Sequence, residues 1–131
     1  VSAYFGHWRL IPEISHYSAG GPPERGDYVI EDRDGEIAFT VSWEAEGKEL
    51  KTEFAAPADG SPVEAGFPGV DSYSVTHEDD FTLLSDAMAG GEAILKAVRR
   101  VSRDGRLMTV LQENADGQGG WIRIFQVYER A

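Results

Sequence analysis

The chain contains no cysteine. That excludes disulfides, thiolate catalysis and cysteine-based zinc sites together. It leaves the compartment open, because a cysteine-free protein tolerates either redox environment. Long hydrophobic runs are also missing: no stretch of the 131 residues approaches the roughly 20 apolar residues of a membrane-spanning helix. Basic residues are scarce, 12 against 23 acidic ones, for a net charge of −11. Such a surface repels phosphate backbones and anionic headgroups, so neither nucleic acid nor membrane is an expected partner, and the plain reading of the acidity is solubility. No signal-peptide pattern opens the chain, and a leader removed ahead of residue 1 stays open. The expectation is a soluble protein, cytoplasmic or secreted after signal removal.

Catalytic and metal patterns are absent as well. G-x-S-x-G does not occur, and no glycine-rich turn belongs to a strand–loop–helix unit that would cradle phosphate. His7, His16 and His77 show no i, i+2 pairing on one strand, so no metal is expected, and nothing calls for a cofactor. Glu78-Asp79-Asp80 lacks the spaced ligands and distal glutamate of a calcium loop and reads as a solvated turn, as does Asp32-Arg33-Asp34-Gly35. His16, beside Tyr17, is the best single acid–base candidate because imidazole titrates near neutral pH; a solvent-exposed rim histidine is the plainer account.

What is present is short-period alternation. One domain spanning 1–131 is expected from the length. Fifteen glycines and six prolines suit a fold with many turns, and fourteen aromatic residues offset a modest hydrophobic fraction of 41%. Between Glu36 and Glu44 the odd positions are Ile37, Phe39, Val41 and Trp43, while the even ones between them are Ala38, Thr40 and Ser42. This strict period of two is the strongest strand signal in the chain. Asp34-Gly35, Glu46-Gly47 and Gly90-Gly91 supply tight turns. Gly6–Tyr17, interrupted by Pro12, reads as a bent or short first strand. Further strands are expected at Asp27–Asp32, Glu49–Phe54, Asp71–Thr76, Phe81–Met88, Arg106–Gln112 and Trp121–Arg130. Glu92–Ser102 has helix-favouring residues, but Val98, Val101 and flanking hairpin turns favour a strand. Ala55–Val70 is non-periodic, holds three prolines, and reads as a lid over a barrel mouth or a wide crossing loop. Nine or ten strands spaced about ten residues apart point to an all-β, antiparallel up-and-down barrel or a sandwich.

Two sets of residues carry a family resemblance. Gly6-x-Trp8 in the first strand, with an arginine in the last, resembles the lipocalin and fatty-acid-binding superfamily, the calycins. The resemblance implies a Trp8–arginine stack that closes one barrel end. Arg123 fits that arginine better, with Arg130 the alternative. Gly6, Trp8, Leu10, Pro12, Ser15 and Tyr17 also resemble the opening of small bacterial lipocalin-like proteins of unassigned function. Arg99-x-Val101-Ser102-x-Asp104-Gly105, Met108-Thr109-Val110 and the closing Val127-Tyr128-Glu129 resemble the same group, and the likeness thins between Ala45 and Asp80. It implies a single calycin-like barrel of 8–10 strands and says little about chemistry.

In such a barrel the apolar alternate positions would point inward: Phe39, Val41, Trp43, Phe54, Tyr73, Val75, Phe81, Leu83, Leu95 and Phe125. The candidate ligand-binding set is Phe39, Trp43, Phe54, Tyr73, Phe81, Leu83, Leu95 and Arg99. Small residues Ala93 and Ala97 beside Leu95 either fit the taper of a filled barrel or leave room for a ligand. Arg99 shares that face. If internal it needs an anionic partner, from the protein or from a ligand; facing solvent is the equal alternative. Three functions follow. The first is a pocket for a small apolar or amphipathic ligand, with a carboxylate or hydroxyl anchored on Arg99, Tyr73 or Tyr128. The second is a cyclase or isomerase using His16 with Tyr17, or Tyr73 with Arg99. The third is a filled barrel serving as an interaction module. Monomer and homodimer both remain open.

Overall fold

In the computed structural model, which describes residues 2–66 and 68–131, Trp8 and Arg130 stand directly opposite one another across the pairing of the first long strand with the last. The chain forms β1 (Gly6–Leu10), β2 (His16–Tyr17), β3 (Arg25–Arg33), β4 (Glu36–Ala45), β5 (Lys48–Pro57) and β6 (Val63–Glu64), then β7 (Ser72–Asp79), β8 (Thr82–Ala89), β9 (Glu92–Val101), β10 (Leu107–Ala115) and β11 (Trp121–Arg130). The strands pair antiparallel in the order β5-β4-β3-β1-β11-β10-β9-β8-β7-β6, with β2 against β11. Among the described residues the one helical element is a 3-10 turn at Pro12–Ile14, and no helix is long and apolar enough to cross a membrane. The fold is a nearly closed, antiparallel ten-strand barrel with β2 as a short addition.

The hairpins are where the sequence placed them, and for the expected reason. Asp34-Gly35 and Glu46-Gly47 take positive φ at both turn positions (55° and 89°; 53° and 75°). This is the turn whose twist matches the flanking strands. Glu92–Val101 is strand throughout, paired on both sides by β8 and β10; two ladders outweigh a local helical preference that summed to little. The first strand breaks at Pro12 as expected, and His16–Tyr17 then rejoins the sheet beside Ile124 and Phe125.

Ala55–Val70 behaves as a crossing connection. β5 continues to Pro57, after which the chain reaches β7: the His77 amide donates to the Ala58 carbonyl (2.8 Å) and the Gly60 amide to the Val75 carbonyl (2.9 Å). The Tyr73 hydroxyl donates to the Ala55 carbonyl (2.7 Å), spanning the remaining gap between β5 and β7. Phe67 of this segment lies outside the described residues, as does Val1 of the N-terminal lead-in.

The arginine that closes the barrel is Arg130, and the preference for Arg123 is corrected. The Arg130 guanidinium sits 4.1 Å from the Trp8 ring centroid and donates to the carbonyls of Gly105, Phe5 and Ala3 at 2.7–2.8 Å. Arg123 lies on the outer face, paired with Glu113 at 3.0 Å. Side chains alternate along a strand, so 123 and 130 differ in face as well as in height. Gly6, at φ 131°, is where the guanidinium passes the backbone: a Cβ there would meet Arg130 Nη1 at 2.5 Å. The two contacts to Ala3 and Phe5 hold residues 3–5 across the barrel end, where Tyr4 is buried and its carbonyl accepts from Trp8 Nε1 (3.0 Å). Hydrogen bonds from a charged donor contribute about 1.5–3 kcal/mol. Arg130→Ala is therefore expected to cost roughly 2–3 kcal/mol, while Arg123→Ala, which removes an exposed pair, stays within about 0.5 kcal/mol. Thermal unfolding of the two variants in parallel checks this order.

Candidate ligand-binding site

The barrel is packed at one end and hollow at the other. Inward residues near the plugged end are large and fully buried: Trp8, Ile30, Phe39, Leu83, Met108 and Val75. Toward the other end the inward positions leave a cavity of about 580 Å³, within the ~300–1,000 Å³ of small-molecule pockets. The hollow follows from side-chain size. β8 and β9 present Ser85, Ala87 and Ala97 to the interior where the opposite wall presents Trp43, Val41 and Phe54. Gly21 and Pro23 of the loop after β2, Tyr17, Ala45 and Val70 border the mouth.

Arg99 lies where the packed and hollow halves meet. It is 3% exposed, so of the two readings left open by the sequence the internal one holds. Its Nε donates to the Tyr28 hydroxyl (2.6 Å) and its Nη1 to the Ser85 hydroxyl (3.0 Å). The guanidinium carbon is 4.4 Å from the Phe39 ring centroid, and Phe39 stacks on Phe54 with centroids 4.6 Å apart. Among the described residues no carboxylate comes within ion-pair distance of Arg99. Every fully buried side-chain polar atom described has a partner. Nη2, which has none, must therefore open onto the cavity. Arginine keeps its charge in proteins, and a buried cation with only neutral partners is costly.

A polar line climbs the β11 wall from Arg99 toward the mouth. The Tyr128 hydroxyl donates to Gln126 Oε1 (3.2 Å), and Gln126 Nε2 donates to the Tyr17 hydroxyl (2.6 Å). Burial holds the Tyr128 phenol far above its ordinary value, nearby Tyr28 and Tyr17 push the same way, and Arg99 opposes them. Tyr17 is raised more modestly, by burial against the Gln126 hydrogen bond.

The structure brings Trp43, Phe54, Tyr73, Leu95 and Arg99 together on the cavity wall. Phe39 and Leu83 sit in the packed core below the cavity floor. Phe81 faces away from the cavity: it stands just ahead of β8 in an exposed turn. Phe125 is likewise on the outer face, 37% exposed, and Ile124, Gln126 and Tyr128 point inward in its place. β11 is apolar on both faces, so alternation alone could not orient it. The acid–base pairs do not assemble. His16 faces solvent and Tyr17 the cavity, as neighbours on a strand must, while the Tyr73 hydroxyl is engaged by both the amide and the carbonyl of Ala55. The polar cavity residues Tyr28, Ser42, Thr52, Ser85, Asp86, Gln112 and Gln126 escaped the sequence reading, which looked for apolar inward positions; Tyr17 was named there only as a partner for His16. No group of three or more His, Asp or Glu poised to hold a metal occurs among the described residues.

No protein-family model matches the chain, and no curated protein sequence matches it. Solved structures do. A secretory abundant heat soluble protein from Ramazzottius varieornatus superposes with a TM-score of 0.73 at 9% identity, covering 100% of this chain and 97% of that one. A Schistosoma mansoni fatty acid binding protein in complex with arachidonic acid gives 0.66 at 14% identity, over 99% and 97%. A zebrafish ileal bile acid-binding protein complexed with cholic acid gives 0.59 at 12%, over 99% and 100%. The fold is thus calycin-like. At these identities the likeness concerns architecture and carries no chemistry with it.

The raised Tyr128 phenol has a consequence at alkaline pH. The fold favours its neutral form, so this stabilisation is complete below the ordinary phenol value of 10.0 and is lost as pH rises from there toward the folded-state value. Tyr128→Phe, which cannot ionise, should flatten the decline of melting temperature above pH ~10. An unchanged alkaline slope would count against burial as the cause.

Proposed function

We propose that this barrel binds one small amphipathic molecule, its apolar part against Trp43, Val41, Phe54, Leu95 and Ile124 and its anionic group on Arg99. The observation that carries this reading is the buried guanidinium with only hydroxyl partners and an unpartnered Nη2. A carboxylate or comparable anion supplies the missing charge in a fork geometry that arginine fits. Of the three anchors named from the sequence, Tyr73 is engaged by the backbone and Tyr128 donates to Gln126, so neither has a proton to give an anion, which favours Arg99 as its anchor. Structural neighbours that carry arachidonic acid and cholic acid in barrels of this shape lend support at the level of ligand class. The apolar wall supplies affinity and the guanidinium sets orientation.

Decanoate and decanol share a tail and differ in charge. Calorimetric titration should show wild type preferring decanoate by at least about tenfold, the worth of a charge-assisted hydrogen bond at 1.4 kcal/mol per decade. Arg99→Met should erase the preference. Equal affinity of the wild type for acid and alcohol would remove Arg99 from the role of anchor.

Stability should move the other way. Replacing an uncompensated buried charge by an apolar side chain of similar length is commonly neutral or stabilising. Ligand-free Arg99→Met is expected to melt at or above the wild-type temperature, and to lose the increment that decanoate confers on wild type. A ligand-free variant that melts several degrees lower would show that Arg99 is already compensated within the protein.

A further inference from the structure

The outer wall of β8–β11 carries an apolar row with a charged row beside it. Cross-strand register puts Leu84 opposite Val98, Val98 opposite Leu111, and Leu111 opposite Phe125. Leu111 is 36% and Phe125 37% exposed, Leu84 and Val98 are half-buried, and the row runs across three inter-strand steps, about 14 Å. Two residues further along the strands, Asp86 stands opposite Lys96, Lys96 opposite Glu113, and Glu113 opposite Arg123. The signs alternate. Beyond that row lies Trp121, 45% exposed, with Lys96 Nζ 5.8 Å from its ring centroid. In a chain of net charge −11, this row sets two bases, Lys96 and Arg123, against two acids, Asp86 and Glu113. It is a locally neutral row in an acidic protein.

We propose that this face pairs with the same face of a second copy of the chain, across a two-fold axis that lies in the contact plane at right angles to the rows. The reason is a symmetry of the charged row. That operation reverses the order −, +, −, + into +, −, +, −, so each charge meets its opposite: Asp86 faces the partner's Arg123, and Lys96 faces the partner's Glu113. The same operation lays the apolar row on itself, with Leu84 against the partner's Phe125 and Val98 against the partner's Leu111. A self-complementary patch is what a two-fold dimer requires. The local balance of charge removes at this face the repulsion that the rest of the surface would impose. A convex barrel wall offers limited area, which fits a weak, concentration-dependent dimer. Of the residues in this contact Asp86 also borders the cavity, while Lys96, Leu111 and Glu113 do not, so variants at those three positions test the pairing apart from ligand binding.

Sedimentation equilibrium over the micromolar range tests it. Wild type should pass from monomer to dimer as concentration rises. Lys96→Glu, which sets two acids face to face, should raise the dissociation constant about tenfold or more. Adding Glu113→Lys to it restores opposite signs across the axis and should recover dimerisation. Leu111→Asp should be monomeric throughout. Of the three positions changed, Lys96 and Leu111 are exposed and Glu113 is half-buried, and matching thermal melts confirm that each variant is folded. A wild type that stays monomeric, a single reversal without effect, or a double reversal that fails to rescue would overturn the proposal. So would flotation of monomeric protein with phosphatidylcholine vesicles that Leu111→Asp abolishes, which would give the stripe to a membrane instead.

Discussion

The pairing of β1 with β11 is the constraint on which the rest of this molecule depends. It joins residues more than a hundred positions apart, and Arg130 is its clamp: one guanidinium covers the face of Trp8 and collects three backbone carbonyls from two segments. Those carbonyls belong to Gly105 and to the lead-in that carries Tyr4. Closing the sheet and plugging its end are thus the same event. An arginine suits the task because its five donors lie in one rigid plane that can stack and bond at once.

Once one end is sealed and filled with Trp8, Ile30, Leu83 and Met108, the other end is free to be hollow. Alanine and serine on β8 and β9 leave space that the large residues of the packed half have no need to occupy. Arg99 sits at the boundary, where burial is already deep and one nitrogen has no partner within the protein. A cation there is costly to the empty protein, and under the proposed function it is useful to a filled one. Natural proteins tolerate such local cost at binding sites, and stability is recovered elsewhere, here in the plugged half.

Much of the fold was legible. Ile37, Phe39, Val41 and Trp43 announce a strand and its inner face, and Asp34-Gly35 and Glu46-Gly47 fix the register of the hairpins around them. Trp8 near the start and an arginine near the end suggested closure. What the sequence left unsettled was which side of a strand faces in when both sides are apolar. Trp121, Ile122, Ile124 and Phe125 permit either orientation, and one residue of slip turns Phe125 from wall to surface. The same slip separates Arg123 from Arg130. Tyr17 and Tyr128 were named, one as the partner of His16 and the other as a ligand anchor, but the line they form through Gln126 was not, because inward positions are normally sought among apolar residues, whereas a ligand cavity keeps several polar ones. The Tyr4 plug depends on contacts spanning nearly the whole chain, which no local pattern encodes.

The central claim is that the Arg99 guanidinium awaits an external anion. The most direct measurement is the carboxyl carbon-13 resonance of labelled decanoate bound to the protein, followed as pH is lowered. A carboxylate held on a buried guanidinium stays ionised well below the range of a free carboxylic acid, and the bound signal should show that depression in wild type and lose it in Arg99→Met. A bound carboxyl that titrates in wild type as it does in water would place the headgroup in solvent at the mouth and contradict the claim.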